Sequence, residues 1–395
     1  MITSILSLAA VSFLISWVGT WLMKRIAPRF GFVDRPGGRK IHQNPRPLGG
    51  GVAIFLAFVL PVVAGLLVVA VHHHLRSSAA HSDSDRLAPY WSGAYERAPM
   101  MLGVVVAALL MHLLGLWDDR KALGPYIKLF FQLAIVAAVV TLLDVRALTF
   151  LDTWGLGRAP SAVFSVLWIA AITNAFNFLD NMDGLSAGVA AVCTAAFLFA
   201  SISIEQWFVA AGLSLLLGSL LGFLCFNFSP ASIFMGDSGS LVIGLLLGVL
   251  TVRSTYLPRG ENFGAGWYAV FAPLIVLAVP LYDLIVVSTL RLMRGKSPFV
   301  GDTNHFSHRL VARGMSRRTA VLCLYLITAA TAIAAIILPH LQSALLAKLI
   351  FLQTWLILGV VALLEQHPFP QSPQPTPTET ASNSADATPD LIATR

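Results

Sequence analysis

The sequence predicts an all-α, polytopic integral membrane protein of about eleven transmembrane helices, and three observations predict it. Of 395 residues, 57% are apolar and only 11% are charged, where a soluble domain carries about 25% charged residues. The mean hydropathy is +0.77. The apolar residues also gather into runs of bilayer length, for which about 20 residues suffice. Together these exclude a water-soluble globular protein. Cys193, Cys225 and Cys323 sit inside apolar runs without CxxC spacing, so neither a disulfide framework nor a zinc knuckle is indicated. The formal charge of +7 points to loop topology and anionic lipid or phosphorylated substrates, not to nucleic acid.

Apolar runs between polar breaks place candidate spans at 3–22, 50–71, 100–117, 128–143, 161–178, 186–204, 207–227, 239–256, 267–290, 319–338 and 342–364. The first lacks a cationic start and an Ala-x-Ala-type cleavage site, so it reads as a retained span and not a removed signal peptide. With loops assigned alternately, seventeen lysines and arginines fall on one side, in the stretches after spans 1, 3 and 9, against seven on the other. The positive-inside rule then puts the first set in the cytoplasm, with the N-terminus outside and the C-terminus inside. Residues 1–365 read as a single transmembrane domain. Residues 366–395, rich in Pro, Ser and Thr, read as a disordered cytoplasmic tail. The outer stretch 72–99, with HHH and SDSD, reads as a mobile exterior loop, and His72, His73 and His74 as surface residues across the membrane from the acids below.

Acidic and amide groups at membrane depth are costly and mark a functional cavity. Span 3 ends in Asp118 and Asp119, adjacent carboxylates that repel unless a magnesium ion, a shared proton or a basic partner relieves them. Arg120 and Lys121 could serve as such partners at a plain solvated helix end. On the next span Lys128 and Gln132 lie i,i+4 on one face, from which an ammonium can reach a phosphate; alone, a lysine there is as well explained as a snorkelling anchor.

Span 5 ends ITNAFNFLDNMDGL, where Asn174, Asn177, Asp180 and Asn181 or Asp183 recur at three- or four-residue spacing, a polar stripe suited to binding a ligand. Gly184 supplies the turn into span 6. Between spans 7 and 8, FNFSPASIFMGDSGSLVIG sets Asp237 between Gly236 and Gly239 at a helix start, as a simple N-cap, as a site carboxylate beside free N–H groups, or as both. After span 9, His305, His308 and Arg309 can hold phosphate or exchange protons. Two histidines lack the further ligands a zinc site needs. Asp283, inside span 9, reads equally as a structural partner for a base or as part of the site.

In this order the motifs resemble the polyprenyl-phosphate N-acetylhexosamine-1-phosphate transferases (glycosyltransferase 4 type), closest to the bacterial undecaprenyl-phosphate GlcNAc-1-phosphate transferases. The likeness runs from about Asp34 to Arg318 and rests on Asp118–Asp119, Asn174 to Leu185, Phe234 to Ser240 and His305 to Arg309. The resemblance implies a cytoplasmic active site in a bacterial inner membrane, with a Mg2+ cofactor, or Mn2+ in its place, held by Asp237. It implies that Asp118 activates or orients the lipid phosphate, with Asp119 beside it. Asn177, Asp180 and Asp183 would line the nucleotide-sugar site with Asn227, and Phe234 would stack on uracil. Lys40 and His42, in RKIHQNPRPLGG, match a first-loop segment near the nucleotide. His308 is the better match of the two histidines for a catalytic role. One departure is Asn181, where the family carries Gly; Asn tolerates a left-handed backbone, so the turn is expected to survive.

The resemblance further implies transfer of GlcNAc-1-phosphate from UDP-GlcNAc to undecaprenyl phosphate, releasing UMP, with no nucleic acid partner and with room for a homodimer. The phospho-MurNAc-pentapeptide transferases are the rival within the family. They carry three consecutive histidines in the last loop and usually ten spans, where this loop reads HFSH and eleven runs are counted. A secondary transporter is the rival of another class, but it would place its acids near the midplane. An intramembrane prenyltransferase would need DxxxD-type acid pairs, and the single DD, FMGDSGS and the His loop argue against it.

Overall fold

The computed structural model describes residues 1–34, 45–77, 88–254, 267–297, 305–341 and 343–365. Thirteen α-helices carry the described fold: α1 (Ile2–Ile26), α2 (Gly50–Ser77), α3 (Ala88–Arg120), α4 (Pro125–Leu142), α5 (Ala159–Leu179), α6 (Leu185–Ser203), α7 (Trp207–Asn227), α8 (Asp237–Arg253), α9 (Ala272–Val276), α10 (Ala278–Met293), α11 (Phe306–Ala312), α12 (Arg317–Ile337) and α13 (Ala344–Leu364). The described sheet is a single antiparallel pair, β1 (Val33–Asp34) with β2 (Arg46–Pro47). The chain is thus an all-α polytopic membrane protein. Among the described residues, nine helices are long and apolar enough to cross a bilayer.

Two of the eleven expected runs differ from those nine. The run at 239–256 is α8, which has 17 residues and is buried almost throughout, from Ser238 to Thr251. The run at 267–290 is broken, with a 3-10 turn over Trp267–Phe271 followed by α9 and α10. Pro273 and Pro280 stand at the starts of these short helices, where a missing N–H breaks no ladder bond.

The expected loop over 72–99 is corrected in part. Residues 72–77 continue α2, and α3 begins at Ala88, leaving 78–87 outside the described residues. Aromatic stacking supports both extensions: His72 lies on Trp91 at 4.1 Å and His73 on Tyr95 at 3.8 Å between ring centroids. The tail at 366–395 also lies outside the described residues.

The core is organised around α8, which packs on α5, α3 and α2. Lipid is as apolar as leucine, so close backbone approach has to hold such helices together. A Cβ on Gly244 would stand 2.4 Å from Thr173 Cα, and one on Gly115 would stand 2.4 Å from Ser238 Cα. On the far side α1 lies along α7, where the buried Ser12 and Ser16 hydroxyls donate to the carbonyls of Leu215 and Ser219, each at 2.6 Å. These contacts bring the ends of α3, α4, α5 and α8 together on one side of the bundle.

Candidate active site

Four helix ends meet at Lys128, in the first turn of α4. Its ammonium donates to Asp118 Oδ2 at 3.1 Å, to Asn177 Oδ1 at 3.3 Å, and to Asp237 Oδ2 in a short contact. Asn177 Nδ2 donates to Asp237 Oδ1 and to Ser240 Oγ, both at 2.9 Å. The carboxylate of Asp118 is fixed from its other side by the backbone N–H of Leu123 at 2.5 Å. Lys128 is 14% exposed and Asp237 26%, so the cluster is recessed but reachable. A snorkelling anchor would send its ammonium to the interface alone; this one is shared among three partners.

Asp119 faces a different group. Its two oxygens accept from the backbone N–H groups of Asp237 at 2.7 Å and Ser238 at 3.1 Å. These belong to the first turn of α8, whose N–H groups have no intrahelical partner. Gly236 precedes the helix at φ +77°, and a Cβ there would stand 2.6 Å from Asp119 Oδ2. Asp237 is the first residue of α8 and does not cap it; Asp119 caps it from α3, which frees the Asp237 side chain for Lys128 and Asn177. His112, two turns earlier on α3, meets the Ser238 carbonyl through Nδ1 at 2.9 Å and stacks on Phe55.

The turn after α5 is braced against the loop before α8. Asp183 accepts from Ala231 N at 2.9 Å, while Asn227 accepts from Gly184 N at 3.0 Å and donates to Ile233 O at 2.9 Å. Gly184, at φ +75°, makes the turn. Asn181 is not left-handed, so the expectation attached to it does not apply; its amide instead donates to Phe178 O and accepts from Ser307 Oγ, each at 2.7 Å. Asp180 accepts from Gly236 N, and burial, followed by the charges of Asp237 and Asp119, holds its carboxyl well above the usual range. Phe234 joins this frame through its backbone: its N–H donates to Pro47 O at 2.9 Å and its carbonyl accepts from Gly50 N at 3.0 Å.

The other expected residues fall elsewhere. Asn174 lies one turn deeper than Asn177, donating to Gln132 Oε1 at 3.0 Å and to Ala170 O at 2.8 Å. His305 is buried, with Nδ1 on Asp283 Oδ2 at 2.9 Å and Nε2 beside Arg291 at 3.3 Å. Asp283 is therefore a structural partner of that histidine. Arg309 donates to Glu365 Oε1 at 2.8 Å. His308 is half-buried on α11, its ring 6.4 Å from that of His305. Lys40 and His42 lie outside the described residues. Gln132, Ser240, His112 and Glu365 are brought into these networks although only Gln132 stood out beforehand. Ser240 was legible as the residue three beyond Asp237, and His112 as a lone imidazole in an apolar run two turns before Asp119.

Mg2+ takes oxygen ligands, commonly one or two carboxylates with the rest from water and phosphate. Asp118 and Asp237 both pair with the Lys128 ammonium, and the charges of Asp237 and Asp119 act on Asp180, so the oxygen donors fit such an ion. Among the described residues no group of three His, Cys, Asp or Glu is placed to hold a metal.

Fold and site define a polytopic membrane protein with a lysine-centred acidic cluster where its helices end on one side. A family profile described as glycosyl transferase family 4 matches residues 101–255, a stretch that holds the whole cluster. The chain is 32% identical over 332 residues to a Bacillus subtilis protein named probable undecaprenyl-phosphate N-acetylglucosaminyl 1-phosphate transferase, covering 83% of each chain. It is 30% identical over 331 residues to the decaprenyl-phosphate N-acetylglucosaminephosphotransferase of Mycolicibacterium smegmatis, covering 79% of this chain and 77% of that one. The undecaprenyl-phosphate alpha-N-acetylglucosaminyl 1-phosphate transferase of Escherichia coli is 27% identical over 338 residues, 82% of this chain and 80% of that one. The chain belongs to glycosyl transferase family 4.

Proposed function

We propose that this protein transfers N-acetylglucosamine 1-phosphate from UDP-N-acetylglucosamine to a polyprenyl phosphate, with undecaprenyl phosphate as the first lipid to test, releasing UMP and starting a cell-surface polysaccharide or cell-wall polymer. The observation that carries this reading is the ammonium of Lys128 shared by Asp118, Asn177 and Asp237. The names of the relatives supply the substrate class. The excess of Lys and Arg in the loops on the cluster's side supports a cytoplasmic active site in the inner membrane.

In this reaction an oxygen of the lipid phosphate bonds to the sugar-bearing phosphorus, and the bond from that phosphorus to the UMP oxygen breaks. Phosphoryl transfer of this kind depends on positioning and charge stabilisation. Lys128 attracts the anionic oxygens and aligns them with the carboxylates. Asp118, pinned by Leu123 N and Lys128, takes any proton remaining on the lipid phosphate, whose second pKa is about 6. Asp119 acts through the backbone, fixing the first turn of α8 and with it Asp237. Asp237 would hold Mg2+, and the bound ion would neutralise charge on the diphosphate oxygens. His308, next to the Ser307 that donates to Asn181, would act on the same transfer from α11.

Membranes containing the full chain, supplied with undecaprenyl phosphate, Mg2+ and labelled UDP-GlcNAc or UDP-MurNAc-pentapeptide in parallel, test the reading. Label entering the lipid phase from UDP-GlcNAc alone, with UMP release that stops on chelation by EDTA, is the expected result. Transfer only from the pentapeptide donor would overturn the choice of substrate. Magnesium-dependent turnover by Asp237→Ala would overturn the site.

A further inference from the structure

The short helix that carries His308 is gripped at both of its flanking positions. At its start, His305 Nδ1 meets Asp283 Oδ2 at 2.9 Å and the Phe306 N–H donates to Asp283 Oδ1 at 2.7 Å. One turn on, Arg309 Nη2 donates to Glu365 Oε1 at 2.8 Å, and the Tyr282 hydroxyl donates to Glu365 Oε2 at 3.3 Å. Tyr282 and Asp283 are neighbours on α10, so both grips lead to one point of that helix. Glu365 comes from elsewhere: it directly follows α13, the last helix of the described chain.

A carboxylate in that place needs an explanation. Much of α13 faces lipid, with Leu345, Leu352, Trp355 and Leu363 exposed, and neither span packing nor solubility calls for a buried acid at its end. Yet Glu365 is 8% exposed as a residue, and the side chains of the ion pair are 14% exposed for Arg309 and 10% for Glu365. A surface pair of this kind contributes little, whereas breaking a pair removed from water leaves a stranded charge. His305 caps α11 with extended backbone and Arg309 lies one turn into the helix, so holding both the start and the first turn fixes its rotation. Residue 308 is then turned about 100° from residue 309, a direction the helix cannot change on its own.

We propose that Glu365 is a positioning residue: through Arg309 it sets the orientation of α11 and thereby aims His308 at the reacting phosphates, coupling the last membrane span to the active site. The proposal rests on the reading of His308 as a site residue.

The test uses the full chain purified in detergent and the GlcNAc-1-phosphate transfer assay. Glu365→Gln is expected to lower kcat by up to about a hundredfold, the scale on which a 1 Å misplacement costs rate, with KM for UDP-GlcNAc nearly unchanged. Tyr282→Phe, which leaves the ion pair intact, is expected to give a smaller loss of the same kind and serves if Glu365→Gln does not fold. The paired reversal Arg309→Glu with Glu365→Arg is expected to regain rate over either single reversal. In a His308→Ala background, adding Glu365→Gln is expected to leave the residual rate where it was. Wild-type kcat in both Glu365→Gln and Tyr282→Phe, or an undiminished further loss in the His308→Ala background, would overturn the positioning role while leaving His308 in the site. Full activity of His308→Ala would instead overturn the reading of His308, and the proposal with it.

Discussion

Asp119 and Asp237 sit on different helices, and the backbone of one is held by the side chain of the other: Asp119 Oδ1 accepts from Asp237 N at 2.7 Å. Two carboxylates adjacent in sequence therefore have separate work. Asp118 faces Lys128, and Asp119 closes the N-terminus of α8.

The pair is separable by mutation. Asp119→Asn keeps one acceptor oxygen for two amides, and losing one charge-assisted bond costs about 1.5–3 kcal/mol. It is expected to lower both kcat and melting temperature, because the first turn of α8 loosens. Asp118→Asn is expected to lower kcat with little change in melting temperature. Steady-state transfer rates and detergent melting curves on the two variants check this.

Lys128 is expected to tolerate no substitution well. Lys128→Met leaves Asp118 and Asp237 without their shared cation, and transfer should fall by at least about two orders of magnitude, the scale of lost electrostatic stabilisation at a phosphoryl site. Lys128→Arg keeps the charge but not the compact ammonium that reaches three partners, and should recover only a small part. The assay of label transfer at saturating UDP-GlcNAc reads both.

A single added methyl group, which takes no polar group away, should also disable the protein. Gly115→Ala puts a Cβ about where the Ser238 backbone lies, 2.4 Å from its Cα. Backbone cannot give way as a flexible side chain can, so α3 and α8 must separate and Asp119 must lose its amides. The expected outcome is loss of activity together with a lowered melting temperature, without any chemical group removed.

One turn below the cluster, Gln132 and Asn174 join α4 to α5. Gln132 is 1% exposed, and removing a buried partner costs about 1–3 kcal/mol. Asn174→Ala is expected to lower melting temperature and kcat while leaving KM for UDP-GlcNAc nearly unchanged. A large rise in that KM would return Asn174 to direct substrate contact.

Stability should also depend on pH from the opposite face. Between α4 and α5, Asp152 and Asp144 are held below the usual carboxylate range. The Ser161 hydroxyl leads for Asp152, with Arg146 next, and Arg146 leads for Asp144. A depressed folded pKa contributes stability above the unfolded value, about 3.9, and the contribution disappears as pH falls through the folded one. Melting curves of wild type and Arg146→Ala are expected to differ at pH 6 and to converge toward pH 3.

The helices and the polar stripe on α5 were legible because period and apolar length are properties of a short window. The alternation of loops likewise gathered Asp118, Lys128, Asn177 and Asp237 to one side before any contact was known. What was not legible depended on partners far along the chain. Asp119 and Asp118 are identical in type and adjacent, and only the approach of Ser238 through Gly115 separates them. Asn227 and Asp183 were legible as polar groups of the site, but not as the brace between a turn and a loop that they also form. The ion pair of Arg309 was not legible because its partner, Glu365, stands at the end of a different span. The outer histidines read as loop because nothing local announces that Trp91 and Tyr95 stack on them.

The central position of α8 also sets an order of assembly. It is the eighth helix to be made, yet it lies among α2, α3 and α5, which enter the bilayer before it. Until α8 has been synthesised, Gly51 of α2, Gly115 of α3 and the α5 backbone at Thr173 that meets Gly244 have nothing to close on, and Asp119 has no amides to accept from. The contacts of Lys128 with Asp118 and Asn177 need only helices made before α8, whereas those with Asp237, and the cap that Asp119 places on α8, come into being only when α8 slots between them.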